Sequence, residues 1–118
     1  MVGLGGFLGA IMRFWVTVNV QRVVGADWPM GTFTVNILGC FLIGYLLQMA
    51  ETRQWLPLEM HFLIVSGFLG AFTTFSSFGY ESVSLVQHGR SLPALTYVVL
   101  HLLVGFGVTW LGQLIAGR

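Results

Sequence analysis

The chain has 118 residues, of which 56% are hydrophobic and only 8% are charged, with a formal net charge of +1. A water-soluble domain carries about 25% charged residues, so the composition excludes an ordinary cytosolic enzyme, and the lack of a basic cluster excludes a nucleic-acid-binding protein. The single cysteine, Cys40, cannot form an intrachain disulfide, and no Cys/His grouping has metal-ligand spacing.

Long uncharged stretches divide the chain into four candidate membrane spans. The intervals Asp27–Glu51, Glu59–Glu81 and Arg90–Arg118 hold no charged residue between their ends, and the chain before Arg22 holds only Arg13. Each stretch can cross a hydrocarbon core of about 30 Å, which needs about 20 helical residues. The sequence therefore predicts one all-α transmembrane domain with spans at residues 3–24, 31–50, 60–86 and 92–116.

The first span carries an arginine in its middle, Arg13. A signal peptide has its charge before a short apolar core, so we expect a transmembrane helix here. An embedded arginine costs about 2.5 to 3.5 kcal/mol on insertion scales and therefore indicates a role, either as a structural anchor or in contact with a permeant anion. Gly5 and Gly9 have the four-residue spacing at which helix backbones approach closely in lipid.

The second span begins with a polar stretch that places Thr32 and Asn36 four residues apart. At this spacing the hydroxyl and the amide lie on one helix face. Two interpretations are open. The pair lines a narrow polar path, or Asn36 makes an interhelical hydrogen bond.

The third span has a central run that is unfavourable for a continuous helix, Gly67-Phe68-Leu69-Gly70-Ala71-Phe72-Thr73-Thr74-Phe75-Ser76-Ser77-Phe78-Gly79. Two glycines, two β-branched threonines and a serine pair predict a local break. Unwound backbone at this depth is tolerated where it is buried in protein or faces water, and its carbonyls suit a small hard cation. The alternative is a continuous helix whose hydroxyls bond back one turn.

Two phenylalanines follow the predicted break. Phe75 and Phe78 share a helix face because they are three residues apart. Such rings usually serve packing, but their positive edges can also stabilise an anion without trapping it. Glu81 is expected to mark the membrane edge.

The fourth span repeats polar or small residues at a four-residue spacing: Tyr97, His101, Gly105, Thr109 and Gln113. Each step drifts by about 40°, so three consecutive positions share a face but the whole row does not. His101 is expected to be a hydrogen-bonded core histidine; a titrating site is the alternative.

Arginines are evenly divided between the two sides of the membrane. Arg22 and Arg90 fall on the first and third loops, whereas Arg53 and Arg118 fall on the second loop and the C-terminal end. Since an excess of Lys and Arg normally sets orientation, an even count permits insertion in both directions and an antiparallel dimer. The alternative is one topology fixed by other features.

Three motifs in chain order resemble the Fluc (CrcB) family of bacterial fluoride channels. They are Gly5-Gly6 through Arg13, then Gly31-Thr32-x-Thr34-Val35-Asn36 with Gly39, and Gly67-Phe68-x-Gly70-x-x-Thr73-Thr74-Phe75-Ser76-x-Phe78. The similarity covers nearly the whole chain. It implies a dual-topology homodimer in the bacterial inner membrane that is not an enzyme and that exports fluoride passively through two pores at the subunit interface. Fluoride, the bilayer and a second copy are the implied partners, with no nucleic acid or soluble protein.

The resemblance also assigns site residues. It implies pore phenylalanines at Phe75 and Phe78, a pore asparagine at Asn36, polar-track hydroxyls on Thr32, Ser76 and Tyr97, and a family arginine at Arg13. A structural sodium ion at the dimer two-fold is implied on the backbone carbonyls of Gly70 and Thr73. This chain departs from the family at His101 and Gly105, where serines are expected, so these two are not carried over as pore residues.

Two other functions fit the same size and span count. A small dual-topology exporter of cationic drugs should have a membrane-embedded carboxylate, and here every carboxylate is expected at or beyond a span end. A structural membrane subunit without transport explains the glycines but leaves the polar groups at Thr32, Asn36, Thr73 and Ser76 without a role.

Overall fold

The protein is an all-helical bundle with four helices long and apolar enough to cross a membrane. The computed structural model describes all 118 residues. Helices α1 (Val2–Val24) and α2 (Met30–Arg53) form the first two spans, and α6 (Ser91–Ala116) forms the fourth. The third span, Leu58–Gln87, is composite. All four lie within three residues of the predicted spans, so a multi-pass membrane protein is confirmed.

Short turns connect the spans. Gly25 ends α1 with φ 93° and Gly89 lies in the third loop with φ 74°, a backbone region that glycine enters without steric cost. Gln54 adopts the left-handed conformation after α2. Pro29 and Pro57 stand immediately before α2 and before the third span, where a missing N–H breaks no helical hydrogen bond.

The third span is interrupted near its centre, as the sequence predicts. It begins with α3 (Leu58–His61), continues as a π-helical segment (Phe62–Leu69) and a short α4 (Gly70–Phe72), and resumes as α5 (Phe75–Gln87). Between α4 and α5, Thr73 and Thr74 are extended. The sequence does not predict the π-helical segment; such segments often occur near functional sites.

Glycines allow α1 to lie directly on the π-helical segment. A methyl group at Gly5 would overlap the carbonyl oxygen of Leu63, and one at Gly9 would overlap that of Phe68. Lipid supplies no hydrophobic drive for helix association, so close backbone contacts of this kind hold the bundle together.

The α2 and α6 helices pack together in the same way. Gly44 on α2 lies against the backbone of Thr109, and Gly112 on α6 lies against the backbone of Phe41.

At the loop end of the bundle, the Arg90 guanidinium donates a hydrogen bond of 2.6 Å to the carbonyl oxygen of Asp27. The first and third loops therefore lie on the same side.

Most of the apolar surface of the single chain is uncovered. Only 17 of 118 residues are buried, and large side chains such as Phe14 (70%) and Phe106 (72%) are mostly exposed. The bundle measures 49 × 29 × 22 Å, long enough to cross a bilayer. The exposed apolar surface suits lipid or another protein surface in the membrane.

Candidate functional site: the broken span and its polar line

The break exposes backbone groups that an intact helix would pair. In an intact helix the Thr74 N–H would bond to the Gly70 carbonyl, but here it donates to Asn36 Oδ1 at 2.7 Å. Likewise, the Ser77 N–H donates to the Thr74 hydroxyl at 3.3 Å instead of to the Thr73 carbonyl. The carbonyls of Gly70 and Thr73 thus lose their α-helical donors, while Thr74 caps the start of α5.

Asn36 holds the broken backbone from the neighbouring helix. Its Oδ1 accepts from the Thr74 N–H, and its Nδ2 donates to the Thr74 carbonyl at 3.0 Å. The second Nδ2 hydrogen points to His101 Nε2, 3.1 Å away. Both amide hydrogens and the amide oxygen are therefore engaged within one chain, as the interhelical interpretation of Asn36 requires.

A half-buried carboxylate lies farther along the same face. Glu81 accepts hydrogen bonds from the Thr32 hydroxyl at 2.7 Å and the Tyr97 hydroxyl at 2.6 Å, one on each oxygen. Beyond the prediction that Glu81 marks the membrane edge, the structure shows that two polar side chains from other helices converge on it. Its position three residues after Phe78, on the same face of α5, is the sequence signal for this role.

These contacts form one connected set, which we call the polar line: Thr32, Asn36, Thr74, Glu81, Tyr97 and His101. Tyr97 links its two halves, because the Tyr97 hydroxyl binds Glu81 while the Tyr97 carbonyl lies 3.3 Å from His101 Nδ1. Thr32 and Asn36 share one face of α2, as their spacing predicts. Ser76 extends the set, with its Oγ 3.4 Å from the Thr74 hydroxyl oxygen.

The two phenylalanines have different surroundings. The Phe78 ring is half-buried, with centroids 4.3 Å from His101 and 5.5 Å from Tyr97. The Phe75 ring lies 5.8 Å from Phe78 but is 82% exposed. The structure therefore places Phe78 against the polar line and leaves Phe75 projecting from the chain.

Arg13 is half-buried and lies outside the polar line. It falls midway between Gly9, which packs on Phe68, and Thr17, which packs on Gly31. At four-residue spacing these positions form the packed face of α1. Arg13 therefore lies on the packed face of α1, between these two contacts.

Two clefts approach this arrangement. The first, with a volume of about 370 Å³, contains the break, both phenylalanines, Asn36 and His101 among its lining residues. The second, of about 560 Å³, reaches Glu81 from the first and third loops and has Gln21, Asp27, His88 and Arg90 in its wall. The polar line lies between an apolar cleft at the break and a polar cleft at the loops.

Comparison with known proteins shows, independently of the geometry, which family and which named proteins the chain is similar to. The family model described as CrcB-like protein, Camphor Resistance (CrcB), matches residues 1–113. A protein of Acidobacterium capsulatum named fluoride-specific ion channel FluC is 40% identical over 117 residues, covering 99% of this chain and 94% of that protein. A protein of the same name from Nitratidesulfovibrio vulgaris is 39% identical over 112 residues, 95% of this chain and 90% of that protein. A relative from Moorella thermoacetica, named fluoride-specific ion channel FluC 2, is 40% identical over 116 residues, 98% of this chain and 93% of that protein.

Proposed function

The chain belongs to the CrcB-like family, and on that premise we propose that it is a fluoride-specific ion channel through which cytoplasmic fluoride leaves the cell passively. The observation that carries the proposal is the similarity, over nearly the whole chain, to relatives named for this activity. A helix break beside a line of hydrogen-bonding side chains fits an ion pathway better than an enzyme site. We place the protein in the bacterial inner membrane.

The working unit is proposed to be a dual-topology homodimer with two pores at its interface. One bundle packs its helices too closely to leave a lumen, since methyl groups at Gly5 and Gly9 would already overlap the neighbouring backbone. The exposed Phe75 ring and the open cleft beside the break need a covering surface. A second copy of the chain provides one, and the even arginine count permits its inverted insertion.

Fluoride is proposed to pass along Thr32, Asn36, Phe75, Ser76, Phe78 and Tyr97. Hydroxyl hydrogens replace water around the small anion, Asn36 holds the broken backbone beside its path, and the positive ring edges of the phenylalanines carry it between polar groups. No lysine or arginine belongs to this row, so the anion meets no fixed charge that would hold it. Arg13 stands apart and serves to attract the anion or to anchor α1.

Glu81 orients two hydroxyl groups of the polar line for fluoride conduction. Its carboxylate draws the hydroxyl hydrogens of Thr32 and Tyr97 toward itself. A fluoride ion entering from the polar cleft competes with this carboxylate for the same hydrogens. Binding there is consequently weak enough for release, which conduction requires.

The break is also proposed to hold a structural sodium ion on the carbonyls of Gly70 and Thr73. Both carbonyls lack their helical donors because Asn36 and the Thr74 hydroxyl take those N–H groups. Carbonyl oxygens are suitable ligands for a hard cation, and both residues line the open cleft. Two inverted copies would contribute four such oxygens at the two-fold axis.

The alternative, a dual-topology exporter of cationic drugs, is not favoured. The sequence predicts every carboxylate at or beyond a span end, and Glu81 lies in the C-terminal part of the third span. However, both Glu81 oxygens are already hydrogen-bonded by Thr32 and Tyr97. The relatives with 39% and 40% identity are named for fluoride.

Fluoride efflux from liposomes containing the purified protein tests the proposal. We expect rapid efflux at a fluoride electrode and no chloride release from a matched preparation. Vesicles that stay sealed to fluoride despite correctly assembled protein would end the proposal. Efflux of a cationic dye coupled to a proton gradient would support the exporter instead.

A further inference from the structure

His101 occupies the middle of the polar line and is the only histidine in it. Three aromatic rings enclose its imidazole, with centroids at 4.3 Å for Phe78, 4.6 Å for Tyr97 and 5.1 Å for Phe33. Both ring nitrogens also have partners. Nδ1 lies 3.3 Å from the Tyr97 carbonyl oxygen, and Nε2 lies 3.1 Å from Asn36 Nδ2.

These partners select one form of the imidazole. The Tyr97 carbonyl only accepts hydrogen bonds, so His101 Nδ1 must carry a hydrogen. The Asn36 Nδ2 group only donates, so His101 Nε2 must be unprotonated. The arrangement is therefore complete only for the neutral Nδ1–H tautomer.

Asn36 cannot adapt by rotating its amide. Its Oδ1 accepts from the Thr74 N–H, and its Nδ2 donates to the Thr74 carbonyl. A rotated amide would place Nδ2 against the Thr74 N–H, so two donors would face each other. A proton on His101 Nε2 therefore either pushes Asn36 away from the break or remains without an acceptor, which is costly in a buried site.

We propose that His101 is a positioning residue that locks Asn36 onto the broken backbone and that the channel conducts only while His101 Nε2 is unprotonated. This inference rests on the proposed fluoride conduction. His101 acts through Asn36 and through its contact with Phe78, both in the proposed pore. Acidification should uncouple Asn36 from Thr74 and close the path.

Few other ionisable groups face this histidine. From α6 itself comes the Tyr97 hydroxyl, and through it Glu81 on α5. Helix α2 contributes Phe33, Asn36 and the Cys40 thiol, which lines the same cleft. The π-helical segment contributes apolar Val65 and Leu69 to the cleft. Glu81 is thus the carboxylate whose titration must be separated from that of His101.

Two substitutions divide the functions of the two ring nitrogens. His101→Gln places an uncharged carbonyl oxygen near the Nε2 position, where it can accept from Asn36. His101→Asn reaches only the Nδ1 position and leaves Asn36 without its partner. Glu81 is intact in both variants, so any effect of its protonation persists in both.

Fluoride efflux is measured from about pH 7.5 to about pH 4.5, because histidines usually titrate between about pH 5 and 8 and a proton on His101 Nε2 would face the Asn36 donor. We expect wild-type flux to fall several-fold on acidification and the flux of His101→Gln to be independent of pH. At pH 7.5, His101→Gln should exceed His101→Asn by about tenfold, the equilibrium shift that one net hydrogen bond is worth. Protein-free vesicles at each pH correct for leakage of undissociated acid.

The tautomer can be examined without transport. Nitrogen NMR of protein in bilayers, with ¹⁵N-labelled histidine, should show a signal of the Nδ1–H type that is present in wild type and absent from His101→Gln. His88, whose Nδ1 also lies 2.8 Å from a carbonyl oxygen, gives a signal common to both proteins. If wild type does not conduct at pH 7.5, the proposed function fails, while this spectrum still tests the hydrogen bonds. Flux that ignores pH, equal pH dependence in His101→Gln, or an Nε2–H signal for His101 would each overturn the inference.

Discussion

At the scale of single residues, Asn36 solves the main difficulty of a broken helix in a membrane. Unpaired backbone groups cost several kcal/mol in lipid, since no water replaces the lost hydrogen bonds. One side-chain amide supplies both an acceptor and a donor to Thr74. The Asn36 amide therefore replaces the missing helical hydrogen bonds and fixes the position at which the backbone changes from helical to extended.

We expect Asn36→Ala to lower both stability and fluoride flux. Each group left unpaired on Thr74 should cost about 1–3 kcal/mol, measurable as a lower unfolding midpoint in detergent. Asn19→Ala is the matched control, because Asn19 bonds only to the Trp15 carbonyl one turn earlier. Normal flux with reduced stability would assign Asn36 a packing role alone.

Phe75 and Phe78 should both be needed for conduction, although only one is packed within the chain. Phe78 contacts the rings of His101 and Tyr97, whereas Phe75 is 82% exposed. An Ile at either position keeps apolar volume but removes the ring quadrupole. We expect fluoride efflux to be lost in Phe75→Ile and in Phe78→Ile, with dimers intact by size-exclusion chromatography.

The control for this pair is Phe14→Ile, because the Phe14 ring on α1 is 70% exposed and distant from the break in sequence. It should conduct normally. Wild-type flux from both pore variants would refute a role for the ring edges.

At the scale of helices, α1 is held by its glycine face. Gly9→Ala should destabilise the bundle by about 1–3 kcal/mol, because its methyl group meets the Phe68 backbone and cannot be accommodated by a rotamer change. Gly6→Ala is the matched control, since nothing lies within 4 Å of a methyl group there. Equal unfolding midpoints for the two variants would contradict tight packing between α1 and the π-helical segment.

Local chemistry made the helix break predictable but left two features of the third span unpredicted. Adjacent threonines and nearby glycines weaken a helix from within, so the break at Thr73 and Thr74 could be predicted from sequence. The π-helical segment lies where α1 packs directly on Leu63 and Phe68, and no local pattern in the sequence encodes that contact. The hydrogen bonds of Glu81 were not predicted because their donors, Thr32 and Tyr97, are distant from it in sequence.

The broken span should also respond to the cation present during purification. If the carbonyls of Gly70 and Thr73 hold sodium, replacing it with the bulky cation N-methyl-D-glucamine should lower the unfolding midpoint and the fraction of dimer. Returning sodium should restore both, because the freed carbonyls regain a positive partner. A dimer indifferent to the cation would argue against a carbonyl site at the break.

At the scale of the whole molecule, the exposed groups determine which parts of the bundle lipid can cover and which part requires another protein surface. Lipid can cover apolar side chains, but it offers no hydrogen-bond donor or cation to the freed carbonyls beside the break. Phe75, the open cleft and those carbonyls belong to one region of the third span. A second copy that covers this region would complete two symmetric pathways and leave the remaining surface to lipid.

Dual topology predicts that each loop lies on both sides of the membrane in equal amounts. We would introduce single cysteines at the exposed positions Thr52 and Gln87, in a Cys40→Ala background, and label intact vesicles with an impermeant thiol reagent. Thr52 adjoins the second loop and Gln87 the third, so they mark opposite ends of the bundle. About half of each cysteine should react from outside, and the rest only after permeabilisation, because the even arginine count leaves neither orientation favoured.

Removing one arginine should bias the chain toward one orientation in the membrane. Arg22→Gln removes one charge from the side that carries Arg22 and Arg90. That side then keeps one arginine, Arg90, whereas the other side keeps two, Arg53 and Arg118. Orientation should then favour the second loop in the cytoplasm, so Gln87→Cys becomes mostly accessible from outside and Thr52→Cys mostly protected. Flux should fall with the shortage of inverted partners, and co-expression with a variant biased the opposite way, Arg53→Gln, should restore it. Complete labelling at one loop in the unaltered chain would mean that a single orientation is inserted and that an antiparallel pair cannot form.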